Sequence, residues 1–259
     1  MYYHETFNAI RDDALAKLTR VLPEVTYMIV GANDGTRGDP LYKHTADPKW
    51  RGTLFEPLSV PFEGLKAAYA DRPRAALRNQ AVVAEAPGGT RKFYNVPFST
   101  TNSSFRRDVI VKHKVYPGFE HVETATVEVD VACVAVDELI AEPGFRVPDV
   151  LLTDTEGYDH ALFETWWARG WRPAFGEVEV VHLAEAQRVA IRDGLDGAGY
   201  EIFWYATDLF ALRKDAFSRD DQKLYRLLRD QAIANLGLMQ MLEQERLARA
   251  VNPSGRGAG

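Results

Sequence analysis

The sequence predicts an α/β fold: a mostly parallel sheet with helices on both faces, closed at one edge by an antiparallel hairpin. Three observations predict it. Short apolar runs rich in Val, Ile, Leu and Phe alternate with helical patterns along most of the 259 residues, the rhythm of a doubly covered parallel sheet. The run Tyr27-Met28-Ile29-Val30 ends in Gly31-Ala32-Asn33-Asp34-Gly35. Such a strand turns sharply where glycine permits positive φ and lets the backbone approach a ligand closely. Near the end of the periodic region, Tyr200–Tyr205 and Leu209–Leu212 flank Thr207-Asp208 as a hairpin.

In chain order, Phe7, Ile10, Ala14 and Leu18 lie on one face of a first helix that Pro23 stops. Thr26–Val30 is the first buried strand. Asp39-Pro40 reads as an N-cap followed by Pro at the first helical position, opening a helix to about Thr45. Gly52–Glu56 is the second strand, and Phe62, Leu65, Ala68 and Tyr69 mark the next helix. Ala75–Ala84 reads as a single third strand, and Arg91–Val96 as a further strand paired at the edge. Pro97–Thr124 breaks the rhythm; it is polar and reads as a loop inserted over the sheet, the kind of segment that often forms a lid or binding loop. Thr126–Val136 returns to strand, Val136–Ile140 opens a short helix, and Val150–Asp154 is the fourth main strand. A helix over Tyr158–Arg169, a strand over Ala174–Val181 and a helix over Glu185–Ala198 precede the hairpin. Asp220–Ala250 is one long helical pattern. The division is therefore 1–22 N-terminal helix, 23–217 main domain with an inserted loop at 97–124, 218–250 C-terminal helix, and 251–259 disordered tail.

Lys and Arg number 31 against 37 Asp and Glu, a net charge of −6, which argues against nucleic acid as a partner. The single cysteine, Cys133, rules out an intrachain disulfide and a Cys-based zinc site, and fits a reducing, cytoplasmic setting. Residues 1–20 carry charges throughout and do not read as a secretory signal. No stretch is apolar and long enough to span a membrane.

Four groups could carry chemistry. The glycine turn would lie at the carboxyl ends of the strands, where α/β sheets bind ligands. Glu56 ends the second strand about 20 residues later, placed to accept hydrogen bonds from both ribose hydroxyls of an adenosine-containing ligand. Asp154-Thr155-Glu156-Gly157-Tyr158-Asp159 brings three carboxylates off one strand end. Helix N-terminal placement accounts for Glu156 and Asp159, while Asp154 faces a cleft, a cation or solvent. Glu177 and Glu179, with His182 beyond, form the fourth group, either functional or exposed at an edge.

Ile29–Gly35, Asp39-Pro40 and Trp50–Pro57 together resemble the FkbM family of S-adenosylmethionine-dependent methyltransferases, and Leu151–Asp159 resembles that family's second block. Tyr200–Leu212 is similar to the closing hairpin of class I methyltransferases. The resemblance covers about Thr26 to Lys214 and implies a Rossmann-like class I fold with an S-adenosylmethionine-binding domain at 23–217. It further implies that Gly31, Ala32, Asn33, Asp34 and Gly35 approach the methionine and ribose. Glu56 and Pro57 would meet the ribose, Asn79, Gln80 and Ala81 the adenine, and Asp154 with Thr155 the sulfonium. Many relatives have an acid or amide where this chain has Ile29, so Asp39, Asp154 or the Ser103-Ser104 loop is expected to hold the methionine amino group. Family members mostly methylate hydroxyls of sugars or natural products, so the implied partner is a small hydroxylated acceptor. A weakly nucleophilic hydroxyl calls for a base or a metal; Asp154 is the first choice, then Glu156 and His182, and the clustered acids could hold Mg²⁺.

Two other functions share part of this pattern. A nicotinamide-dependent oxidoreductase has the same strand, turn and acid, although Gly-x-Gly-x-x-Gly is missing here. A non-catalytic domain could bind a cofactor, or a partner through the long C-terminal helix, which is expected to mediate a homodimer.

Overall fold

The computed structural model describes residues 3–36, 39–205 and 207–251. Its central sheet has seven strands: β1 (Val25–Val30), β2 (Trp50–Phe55), β3 (Ala75–Arg78), β7 (Val150–Thr153), β8 (Phe175–Glu179), β9 (Tyr200–Tyr205) and β10 (Asp208–Arg213). Their order is β3-β2-β1-β7-β8-β10-β9. The first five are parallel, and β10 runs antiparallel to both β8 and β9. This is the Rossmann-like class I methyltransferase arrangement, with the hairpin at one edge.

Alternation along β1 shows why the sheet is covered on both faces. Tyr27 and Ile29 point into one core with Phe7, Ile10 and Leu18 of α1 (Tyr3–Val21), and with Trp50 and Phe175. Met28 and Val30 point into the other, with Phe55, Leu162 and Trp166. Both sets are buried, so the strand reads as a continuous apolar run. Helices α2 (Ser59–Ala68), α6 (Asp159–Ala168) and α7 (Glu185–Gly197) follow their strands as the alternation predicts.

Four expectations need correction. Residues 39–48 form consecutive turns and no helix; the Asp39 side chain accepts the Leu41 N–H at 2.8 Å and the Tyr69 hydroxyl at 2.5 Å. These local bonds compete with helix formation. The stretch Ala75–Ala84 is two strands, because Asn79 Nδ2 donates to the carbonyls of Glu56 and Pro57 and breaks the run. Its second half, β4 (Ala81–Val83), joins a separate three-stranded sheet ordered β4-β6-β5, with β5 (Gly89–Asn95) and β6 (Val127–Ala135). The edge strand read at Arg91–Val96 therefore belongs to that second sheet. Finally, the insertion at 97–124 is largely helical. It holds 3₁₀ turns at Thr100–Asn102 and His113–Val115, and helices α3 (Arg107–Lys112) and α4 (Val122–Ala125). Val96, Ile110 and Val122 form its own small core.

After β6 come α5 (Val136–Ala141) and, at the end of the described chain, α8 (Arg219–Val251). Gly237 does not break α8. Tyr225 and Ala232 of α8 join the α1 core, and Arg226 and Arg229 clamp Glu201 at 3.1 and 2.6 Å. The expected tail lies outside the described residues except for Val251, which ends α8. Among the described residues no helix is long and apolar enough to cross a membrane.

Candidate functional site

Strand register brings the candidate residues into one row. Val30 pairs with Phe55 on one side and Thr153 on the other, and Thr153 pairs with Val178. The next residues along these four strands, Gly31, Glu56, Asp154 and Glu179, therefore lie level at the carboxyl edge of the sheet. The strand order reverses between β1 and β7, which is where open α/β sheets form their ligand crevice. Close packing makes the first of these positions glycine. Gly31 has φ +88°, and a Cβ there would lie 1.8 Å from the Asp154 carbonyl oxygen.

A cleft open to solvent lies over this edge, where α/β sheets place their ligands. Its floor is Gly31, Asn33, Glu56 and Asp154, and its roof is the second sheet and the insertion. Phe93, Phe105 and Tyr158 form an aromatic wall, with ring centroids 4.9 and 5.4 Å apart along the series. A second cavity opens on the other side of Gly31 and Asp154, lined by Ala32, Asp39, Glu177 and Asp208.

Glu56 is buried, and each of its oxygens holds one backbone amide: Asn33 N–H at 2.9 Å and Leu58 N–H at 2.8 Å. Burial pushes its carboxyl up to about 7, against the pull of those two bonds. The other acids of this edge shift in the same direction. Asp154 opens on the cleft but is crowded by protein elsewhere; desolvation, then repulsion from Glu156, Asp159, Asp208 and Glu177, pushes its carboxyl well above the usual range. Glu179 moves the same way, by burial first and then by Asp154. Burial also raises Asp39 and Asp208. Glu177 is raised to about 7 despite the Arg11 guanidinium 2.9 Å away. The edge is thus a concentration of acids that a cationic ligand would relieve.

The loop after β7 is held in an unusual shape. Asp159 is fully buried, and its carboxylate accepts the N–H groups of Thr155 and Gly157, each at 3.3 Å. It therefore folds the loop, as helix-start placement suggests. Glu156, by contrast, takes φ +53° and turns inward, where its Oε2 lies 2.9 Å from His182 Nε2. Ser104 Oγ donates to the Glu156 carbonyl at 2.7 Å.

Of the residues expected to meet the cofactor, Gly31, Asn33, Glu56, Pro57, Gln80, Ala81, Asp154 and Thr155 share the large cleft. Ala32 and Asp39 line the adjoining cavity. Asp34, Gly35, Asn79 and Ser104 line neither. Asp34 accepts the Thr36 N–H at 3.0 Å, Gly35 packs against Leu65 and Tyr69, and Asn79 and Ser104 brace neighbouring backbone. Sequence reasoning missed Phe93, Thr101, Phe105 and Tyr158 on the cleft wall, and His113, which is buried with its ring centroid 5.2 Å from that of His182. Burial lowers the His113 imidazole pKa. The Ser/Thr-rich start of the insertion was the one available signal; it places Thr100 Oγ1 3.4 Å from the Asn33 amide nitrogen of the glycine turn.

Comparison with known proteins bears on this arrangement. Three solved structures are similar in general shape. An FkbM methyltransferase from Methylobacillus flagellatus KT is 12% identical, with a TM-score of 0.44 over 75% of this chain and 45% of that one. Human methyltransferase-like protein 13, solved in complex with SAH, is 10% identical, with a TM-score of 0.44 over 89% and 92%. The O-methyltransferase TomG from Streptomyces achromogenes, solved in complex with SAM, is 13% identical, with a TM-score of 0.42 over 78% and 79%. This chain thus spans less than half the length of the first of these. Similarity at that level carries no assignment. No curated protein sequence matches the chain. The family model for the methyltransferase FkbM domain, however, matches residues 30–202, which take in the glycine turn, Glu56, the acidic loop and His182. On that match the chain belongs to the FkbM family of S-adenosylmethionine-dependent methyltransferases.

Proposed function

We propose that the chain binds S-adenosylmethionine along the carboxyl edge of its sheet and transfers the methyl group to a hydroxyl of a sugar or natural-product small molecule. The observation that carries this reading is the level row of Gly31, Glu56, Asp154 and Glu179 at the point where the strand order reverses, in a chain of the FkbM family. The residues present fit the cofactor. Each Glu56 oxygen keeps a free lone pair after accepting one backbone N–H, enough for the two ribose hydroxyls. Gln80, Ala81, Val82 and Phe93 offer a largely apolar end for the adenine. Asp39, Glu177 and Asp208, in the adjoining cavity, offer acids for the methionine ammonium, a contact Ile29 cannot make.

When bound, the sulfonium supplies an electrophilic methyl carbon. The chain's part is to align the acceptor oxygen with that carbon, which is mainly a positioning effect. Asp154, open to both cavities, takes the hydroxyl proton. A bound sulfonium would supply the methyl group for the new C–O bond and keep the electron pair of its broken C–S bond, and Asp154 would hold the proton released by the acceptor hydroxyl. That role requires the carboxylate form, and a positive charge beside the acid cluster favours it.

Substituting Asp154→Asn keeps the shape and removes the charge. Turnover of a hydroxylated acceptor should fall roughly 10²–10⁴-fold, while cofactor affinity measured by calorimetry changes far less. If affinity falls and saturated turnover holds, Asp154 anchors the cofactor and is not the base. A chain that binds NADH and not S-adenosylmethionine would sink the whole reading in favour of an oxidoreductase.

A further inference from the structure

We propose that His113, Glu156 and His182 form a binding site for a divalent transition-metal ion of the Zn²⁺ type. They come from three separate segments: the insertion, the loop after β7 and the loop after β8. One donor atom from each lies within 4.8 Å of the others. Donors bonded at about 2.1 Å to one tetrahedral ion of this kind lie about 3.4 Å apart, so a closing shift of about 1.4 Å at most completes the set.

Two of the polar atoms at this point lack a hydrogen-bond partner. His113 Nδ1 and Glu156 Oε2 are buried and make no hydrogen bond, although buried polar groups are nearly always paired. Glu156 and His113 are only 8% and 6% exposed. Glu156 Oε2 lies 2.9 Å from His182 Nε2, an ion-pair contact that a bound ion would bridge. The backbone supports the same aim. Glu156 is held at φ +53°, and Gly157, at φ +95°, sits with its prospective Cβ 3.3 Å from the Cβ of His182 and 3.1 Å from Val109. A non-glycine residue in that conformation carries strain that the surrounding structure must offset, and such residues cluster at active sites and ligand clamps. The donor set selects the ion: two imidazoles and one carboxylate suit zinc and its neighbours, whereas Mg²⁺ prefers oxygen alone. Three protein ligands also leave coordination positions open.

Glu156 lines the cleft, so an ion here would polarise the acceptor hydroxyl beside Asp154 and make its proton easier to remove. This role rests on the methyl-transfer reading; the ion changes no oxidation state, and the bonds made and broken are those already given. The test reads ion and cofactor separately. Tag-free full-length chain is stripped with chelator and titrated by calorimetry with Zn²⁺ and with Mg²⁺, and its visible absorption is followed on adding Co²⁺. One Zn²⁺ per chain is expected, with cobalt d–d bands, and His113→Ala should weaken binding by more than the roughly 10–100-fold that loss of an outer-shell partner costs. His113→Gln covers the case in which the alanine variant fails to fold. Zn²⁺ binding without S-adenosylmethionine binding would uphold the site while sinking the methyl-transfer reading. Wild-type chain that binds S-adenosylmethionine but not Zn²⁺ would overturn the site, as would Zn²⁺ binding unchanged in both His113 variants and in His182→Ala.

Discussion

Glu56 stands between two demands. Its carboxylate is buried, which raises it to about 7, yet a cofactor ribose is best held by the charged form. Hydrogen bonds to a charged group contribute roughly 1.5–3 kcal/mol, and part of Glu56 is neutral near its raised value. Glu56→Ala should therefore weaken S-adenosylmethionine binding by roughly 1–3 kcal/mol near pH 8, measured by calorimetry. In the unsubstituted chain affinity should fall as pH drops through about 7, where Glu56 takes up a proton, and the alanine variant should lose that component of the pH dependence. Equal affinity in the two chains would remove Glu56 from the site. This residue was legible in the sequence because strand end, glycine turn and spacing together fix its backbone position. Asn79 shows where that logic stops. Its place after a strand was legible, but its amide turns back to the Glu56 and Pro57 carbonyls, and side-chain direction is not written in spacing.

At the scale of elements, the long periodic pieces could be read and the short or non-local ones could not. The insertion's helices span six and four residues, too short to show a 3.6-residue period; what orders them is contact with the cleft and with one another. The second sheet was hidden for another reason. Its strand β4 is apolar and buried enough to belong to the main sheet, and only the break at Asn79 sends it elsewhere. The C-terminal helix is a third case. Its pattern was legible, but not that its first half belongs to the core, where Tyr225 is 1% exposed and donates to Asp13 at 2.7 Å. Ending the chain at Ser218 should thus cost on the order of 3–5 kcal/mol, the usual loss on emptying a large aromatic site. Ending it after Gly237 should leave the melting temperature nearly unchanged. That second truncation is the one that tests self-association through the end of α8, where Met241 is exposed. Light scattering is expected to show a dimer for the full chain and a monomer for the shorter one; two monomers would end the idea.

Across the whole molecule, the site acts on stability through its acids. Glu56 and Glu177 are raised from 4.5 to about 7 by burial, and Asp39, Asp154, Glu179 and Asp208 are raised as well. A raised acid binds its proton more tightly in the folded state, so its contribution is greatest below the unfolded pKa and is lost as pH climbs through the folded one. For Glu56 and Glu177 that loss is on the order of 3 kcal/mol each at most. His44 and His113, lowered by burial, work in the opposite direction, but only below about pH 6.5, where an unfolded imidazole is charged. Acids lowered by partners, such as Glu85 beside Tyr158 and Asp137 beside Arg169, lose their contribution only below about pH 4. Between about pH 6.5 and 8 the site acids therefore govern how stability changes, and the melting temperature of the cofactor-free chain should fall across that window. S-adenosylmethionine carries a sulfonium and an ammonium into the same edge, and binding stabilises by mass action. Its stabilising shift should therefore be larger near pH 8 than near pH 6.5, where more of the acids are already neutral. A melting temperature that rises with pH in the absence of cofactor, or a cofactor shift that shrinks, would mean that these acids are compensated from within the protein and are not held ready for a cation.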